Sequence, residues 1–322
     1  MYPLLFKPIL KEMIWGGTAI RPYKELTVNE VKTGESWEIS HVEGNYSVVA
    51  NGDLAGMTID ELITRYGESL LGQKVFRRFG RQFPLLIKFI DACESLSIQV
   101  HPDDTLAQVR HGSWGKTEMW YVVKATPTAT LYSGFSQQID AAGYVRRVEN
   151  NSLMDVLQRH DVVAGDVFYL PAGRVHAINA GCFIAEIQQT SDITYRIYDY
   201  NRRENNGNSR ELHTALAKEA IDYTVYPSYR TAYTPLPNQA VELVRCNYFT
   251  TNLLELDMPS LRDYALLDSF IIYICTAGKA TLRDDHHNEL TIHQGQTLLI
   301  PAETHTVTIQ PDPQVKLLEA FI

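Results

Sequence analysis

The sequence predicts a mainly β protein of sandwich or barrel type. Three observations carry this: short aliphatic and aromatic runs bounded by turn residues, helical periodicity in only a few places, and one strand-turn unit that occurs twice.

Eight runs, in chain order, supply the strands: 35–40, 84–90, 95–100, 118–123, 129–135, 166–170, 183–187 and 194–198. Each is rich in aliphatic, aromatic and β-branched residues and is flanked by Gly, Pro, Asp or Asn, which punctuate sheets. Helical spacing is clearest over 58–79, where Leu62, Ile63, Tyr66, Leu70 and Leu71 share a face behind a Thr58/Glu61 capping-box start. Shorter helices are expected over about 140–158 and 211–222. The repeated unit is Gly165-Asp-Val-Phe-Tyr-Leu-Pro171-Ala-Gly-Arg-Val-His176, echoed by Gly295-Gln-Thr-Leu-Leu-Ile-Pro301-Ala-Glu-Thr-His305. Two copies of one β-architecture follow, with a first domain over 1–230, a second over 231–322 and a Pro-rich linker from Tyr226 to Pro237.

At 322 residues the chain exceeds the usual size of one domain. Its 45% hydrophobic and 21% charged residues exclude a disordered or coiled-coil class. A net charge of −9 without a basic stripe disfavours nucleic acid and anionic membrane as partners. The start, Met1-Tyr-Pro-Leu-Leu-Phe-Lys-Pro, carries no basic segment followed by a long apolar one, so a cytoplasmic location is expected. Cys93, Cys182, Cys246 and Cys275 form no C-x-x-C pair and are expected to be buried, reduced thiols.

Metal-ligating residue types concentrate in three of the β segments. Gln99 and His101 are two apart on one strand, so they share a face and can grip one ion together. Glu118 opens the next apolar strand, and His176 follows the Pro171-Ala-Gly173 turn. Two histidines, a carboxylate and an amide oxygen suit zinc, although iron, manganese and cobalt share those preferences. The second copy has Ser269 where Glu118 would stand and nothing like Gln99-x-His101, so it is expected to lack a metal site, with His305 a relic. The remaining histidines are read as structural or solvated.

Cations form a second group. Lys88 interrupts an apolar run, where an ammonium needs a partner or a wet cavity. Lys116 lies two residues before Glu118, and Arg196 is followed by Arg202 and Arg203. Asp192 and Glu186 are acidic neighbours able to pair with these cations or shuttle protons.

At these residues the chain resembles the type I mannose-6-phosphate isomerases, in their short bacterial form. The resemblance is carried by Ile14-Trp-Gly-Gly, Gly34-Glu-Ser-Trp-Glu-Ile-Ser, Leu86-Ile-Lys-Phe-Ile, Leu96-Ser-Ile-Gln-Val-His-Pro-Asp-Asp, Lys116-Thr-Glu-Met-Trp-Tyr, Leu170-Pro-Ala-Gly-Arg-Val-His and Glu186-Ile-Gln-Gln-Thr-Ser-Asp-Ile-Thr-Tyr-Arg. It implies two cupin-type jelly-roll barrels, one zinc ion per chain held by Gln99, His101, Glu118 and His176, and reversible isomerisation of mannose 6-phosphate and fructose 6-phosphate. Arg196 matches an active-site arginine, and Lys116, Asp192, Ser97 and Lys88 match positions for ring opening, proton transfer or phosphate binding. Lys116 and Asp192 are the candidates for proton shuttling, Ser97 and Lys88 for the phosphate. Long members of the family often carry a histidine where this chain has Gly115. Two other functions would use such a site: an iron-dependent cupin oxygenase, and a sugar-phosphate sensor that turns nothing over.

Overall fold

The computed structural model describes residues 1–27, 31–203 and 207–322. Three large antiparallel sheets of eight, six and five strands dominate, and the predicted mainly β, double-barrel fold holds. The six-stranded sheet runs in the order Val167–Leu170, Glu118–Ala125, Cys182–Gln189, Leu85–Ala92, Glu35–Ile39, Ile9–Lys11. The five-stranded sheet runs Leu157–Asp161, Thr130–Phe135, His176–Ile178, Ile98–Val100, Tyr195–Tyr198.

Strand alternation assigns each side chain to a layer. Leu85, Ile87, Phe89, Ala185, Ile187, Met119 and Tyr121 point away from the barrel into a core shared with helical residues such as Leu62 and Leu70 and with Phe270 and Leu299. Ile90, Trp120, Val122 and Ile184 point inward, meeting Leu131 and Ile178 of the five-stranded sheet. That sheet's outer residues, among them Ile98, Val100, Ala177, Tyr195 and Ile197, are covered by Tyr144 and Ala217 of the helices Ala141–Glu149 and Thr214–Ala220. Lys88 is therefore on the inward face of its strand, two residues from Ile90.

The eight-stranded sheet is built on two long strands, Ile271–Asp284 and Thr306–Phe321, whose pairing is interrupted by bulges that roll it around a second core. Strand Leu4–Leu5 joins this sheet by pairing with Leu298 and Leu299. Phe83 and Phe270 pack with ring centroids 4.6 Å apart where the two parts of the chain meet.

Several expectations are corrected. The stretch 58–79 is interrupted twice, by a kink at Gly67 (φ 45°, ψ −112°) within Ile59–Leu71 and by Gly72 (φ 91°), which separates that element from the helix Gln73–Phe79. The Thr58/Glu61 capping box forms as expected. The second helix takes its N-terminal partner from far along the chain, the Asp268 carboxylate accepting from the Gln73 and Lys74 amides. A Cβ on Gly72 would come within 2.5 Å of the Asp268 carbonyl oxygen, so no larger residue fits there. Strand 95–100 is shorter than expected, Ile98–Val100, and the chain after His101 enters a helix, Asp104–His111, capped by Asp103. The stretch expected to be helical over 140–158 includes the 3-10 turn Leu153–Val156 and then the strand from Leu157. All four cysteines are free thiols, but only Cys182 and Cys275 are buried: Cys246 is half-buried, and Cys93 is exposed in the turn after strand Leu85–Ala92.

Candidate metal centre and active site

Two rows of side chains face each other across the first barrel. Ser133, His176, Gln99 and Arg196 stand opposite one another on successive strands of the five-stranded sheet. Directly opposed residues of an antiparallel pair share a face, and the neighbours of these four fill the outer core, so this row is the inner one. On the six-stranded sheet the row is Trp120, Glu186, Lys88 and Trp37. Glu118 is two residues from Trp120 on the same face.

At one end of these rows His101, Glu118 and His176 converge, with ligand atoms all within 4.8 Å of one another. Glu118 Oε1 is 3.2 Å from His176 Nε2, and Oε2 is 3.6 Å from His101 Nε2. Each histidine commits Nδ1 to a backbone carbonyl, His101 to Ile193 at 2.9 Å and His176 to Arg174 at 2.8 Å. Those hydrogen bonds fix the rings and turn Nε2 toward the cluster, as in histidines that ligate a metal. Gln99 is the cross-strand neighbour of His176.

The donor set fits a divalent ion. Glu118 Oε1 and His176 Nε2 are buried and make no hydrogen bond to the described residues, while Glu118 Oε2 is ion-paired with Lys116. Leaving such groups unsatisfied costs about 1–3 kcal/mol each, more when charged, so a cation is the natural complement. Burial, with Lys116 and His176 close by, holds the His101 imidazole well below its ordinary value. Burial likewise pulls His176 down to about 3, so both rings are neutral, as metal ligation requires. Burial pushes Glu118 up to about 7, with Lys116 pulling the other way. Lys116 Nζ stands 3.1 Å from Glu118 Oε2 and 3.0 Å from His101 Nε2.

Beside the cluster lies a cavity of about 200 Å³ lined by Gln99, Lys116, Arg196, Asp192, Ser97 and Lys88, six of the nine residues singled out from sequence. The other three are the buried His101, Glu118 and His176. Asp192 is exposed and sits at the rim, whereas Ser97 and Lys116 are buried. Lys88 is enclosed by carboxylates, with Glu186 Oε1 at 3.1 Å and Glu35 Oε2 at 3.9 Å. Burial opposes its charge, but the two carboxylates outweigh burial and hold Lys88 above the usual amine range. Burial opposes ionisation of Glu186 too, yet Lys88, Lys116 and the Trp120 indole keep it below its ordinary value.

The cavity also contains residues that sequence reasoning did not assign. Glu35 accepts from the Trp37 indole at 2.6 Å, and both line the wall. Their signal was the Gly34-Glu-Ser-Trp stretch, in which a carboxylate and a tryptophan two apart on a strand share a face. Arg210 lines the cavity as well, and no local pattern pointed to it. Gly115 has a steric reason: a Cβ there would lie 2.6 Å from Asp103 C and Asp104 N, so a histidine has no room. In the second barrel His305 is largely exposed, with Asp285 3.8 Å away, and Ser269 is buried, donating to the Phe270 carbonyl.

Comparison with known proteins agrees with this geometry. Residues 4–121 match the family model of the phosphomannose isomerase type I catalytic domain. The chain is 35% identical to the probable mannose-6-phosphate isomerase GmuF of Bacillus subtilis, over 90% of this chain and 96% of that protein. It is 38% identical to the mannose-6-phosphate isomerase ManA of Bacillus subtilis, over 77% of this chain and 78% of that one. A crystal structure of mannose 6-phosphate isomerase from Bacillus subtilis superposes over 100% of both chains with a TM-score of 0.90 at 31% identity. These relatives favour neither the oxygenase nor the silent-sensor reading. With rows, cavity and relatives in agreement, the chain belongs to the type I phosphomannose isomerase family.

Proposed function

We propose that this protein interconverts mannose 6-phosphate and fructose 6-phosphate through a cis-enediol, using one zinc ion per chain bound by Gln99, His101, Glu118 and His176. The observation that carries the proposal is the joint position of Gln99, Lys116, Asp192 and Arg196 around one cavity that adjoins the buried His101/Glu118/His176 cluster. A divalent ion held there supplies Lewis-acid polarisation of a sugar oxygen, which acidifies the adjacent C–H.

The chain's own residues do the rest. Arg196, cross-strand neighbour of Gln99, aims a permanent positive charge at the oxygens that become negative as the enediol forms. Lys116, wedged between His101 and Glu118, and Asp192, at the rim, are the groups that open the ring and move protons. Ser97 and Lys88 bind the substrate, and Trp15, Trp37 and Trp120 narrow the cavity and keep bulk water out. Residues 1–230 form the catalytic unit, and 231–322 form a second cupin without a metal site. The enzyme works in the cytoplasm. No helix among the described residues is long and apolar enough to cross a membrane.

A coupled assay of mannose 6-phosphate conversion, before and after chelation and with zinc added back, tests the proposal. Activity lost on chelation and restored by zinc is expected; turnover that survives complete metal removal refutes it.

A further inference from the structure

A phosphate monoester carries about −1.5 to −2 charges at neutral pH and needs cations that are not already neutralised. Lys88, among the residues proposed to bind the sugar, does not by itself supply an uncompensated charge for the phosphate. With Glu186 at 3.1 Å and Glu35 at 3.9 Å, the three groups sum to one negative charge, which repels a dianion.

The opposite wall has the reverse balance. Asp199 is buried and accepts hydrogen bonds from both Arg202 and Arg210. One carboxylate between two guanidiniums leaves one positive charge. Arg210 grips Asp199 with two nitrogens, Nε at 2.8 Å and Nη2 at 2.5 Å, a bidentate fork that fixes the plane of the guanidinium. Its third nitrogen, Nη1, donates to none of the described residues, and Arg210 lines the cavity. Arg202 also donates to the Ser95 carbonyl, which ties the cluster to the segment that carries Ser97.

Geometry separates this wall from the metal cluster. Ser97 and His101 flank the strand Ile98–Val100 on either side of Gln99, so at extended-chain spacing Ser97 lies about 7 Å from Gln99 and about 13 Å from His101 along the chain. A hexose 6-phosphate has the same polarity, with reacting oxygens at one end of a six-carbon chain and the dianion at the other.

We propose that Arg210, held in place by Asp199, binds the substrate phosphate beside Ser97 and so sets which end of the sugar reaches the metal cluster. This deepens the isomerase reading and rests on it. Binding of inorganic phosphate, measured by calorimetry and by its competition with mannose 6-phosphate, decides the matter for wild type and Arg210→Ala. The variant's phosphate dissociation constant and its KM for mannose 6-phosphate are both expected to rise on the order of 10- to 100-fold, with zinc content unchanged. Lys88→Met is expected to shift phosphate binding less than Arg210→Ala does. Unchanged phosphate binding in folded Arg210→Ala, or a larger shift from Lys88→Met, overturns the proposal. If thermal unfolding shows that Arg210→Ala does not fold, Arg210→Gln, which keeps a hydrogen bond to Asp199 without the charge, takes its place with the same two outcomes. Because calorimetry does not depend on turnover, an inactive wild type would refute the isomerase reading while still deciding the role of Arg210.

Discussion

Replacing Lys88 with methionine removes the only cation among the described residues within 4 Å of Glu186 while keeping the length of the side chain. The Lys88 side chain is 8% exposed, and those of Glu186 and Glu35 are 4% and 12%, so solvent does little to screen what is left behind. Breaking a buried pair by deleting one partner costs about 3–5 kcal/mol, because the survivor remains charged and desolvated. At about 2.1 cal/mol/K per residue, 322 residues unfold with an entropy near 0.68 kcal/mol/K, so the melting temperature should fall by about 4–7 °C. Differential scanning calorimetry at neutral pH, with and without zinc, measures this directly. The pH trend has a definite sign. In the wild type Glu186 is held below its ordinary value, so its stabilisation is present above the unfolded carboxylate value and is lost as pH falls through the folded one. Without Lys88 burial raises Glu186 instead, the folded variant takes up a proton on acidification, and its deficit relative to wild type narrows. Adding Glu186→Gln should recover much of the loss by removing the stranded charge. A shift of less than about 1 °C at neutral pH would refute the view that Lys88 is a buried counter-ion.

Arg196→Ala should lower kcat by about 100- to 1000-fold, the usual cost of losing one preorganised donor, while zinc content stays at the wild-type level. Full turnover in that variant would remove Arg196 from the mechanism. Glu118, pushed up to about 7 by burial, must lose its proton to ligate. Apparent zinc affinity should therefore fall about tenfold per pH unit below that value, and a flat profile in competition with a chromophoric chelator would contradict it. Gly115→Ala drives a methyl group into the backbone of Asp103 and Asp104, so the segment carrying Lys116 and Glu118 must shift. A stability loss of about 1–3 kcal/mol by chemical denaturation, together with weaker zinc binding, is expected.

The residues proposed as metal ligands could be singled out in the sequence because strand periodicity is a local property. Gln99 and His101 share a face whatever the sheet does, and the intrusion of Lys88 into an apolar run announced a cavity or a partner. The structure contains both. What the sequence withheld was register. That Gln99 lies opposite His176 on one side and Arg196 on the other depends on which strands become neighbours, and no single segment encodes that. The same holds for Arg210, whose place in the cavity follows from its fork to Asp199, eleven residues earlier in the chain. The helix Asp104–His111 is a different case. Asp103 and Gly112 were available as cap signals, but only Ala107 of the helix is buried, so hydrophobic periodicity had nothing to detect. The split at Gly72 was hidden for a similar reason, since its cause is Asp268, nearly two hundred residues away.

The pairing of Leu4 with Leu299 carries a consequence for biosynthesis. At about 5–20 residues per second, a ribosome takes roughly 15–60 s to travel between those two positions. Until it does, the apolar surface that Phe83 and Leu70 later hide against Phe270 is left to a chaperone or to solvent. The half that carries the candidate metal cluster is thus translated first but finished last, and a nascent chain stalled near residue 230 should be protease-sensitive even though every proposed ligand has already been made.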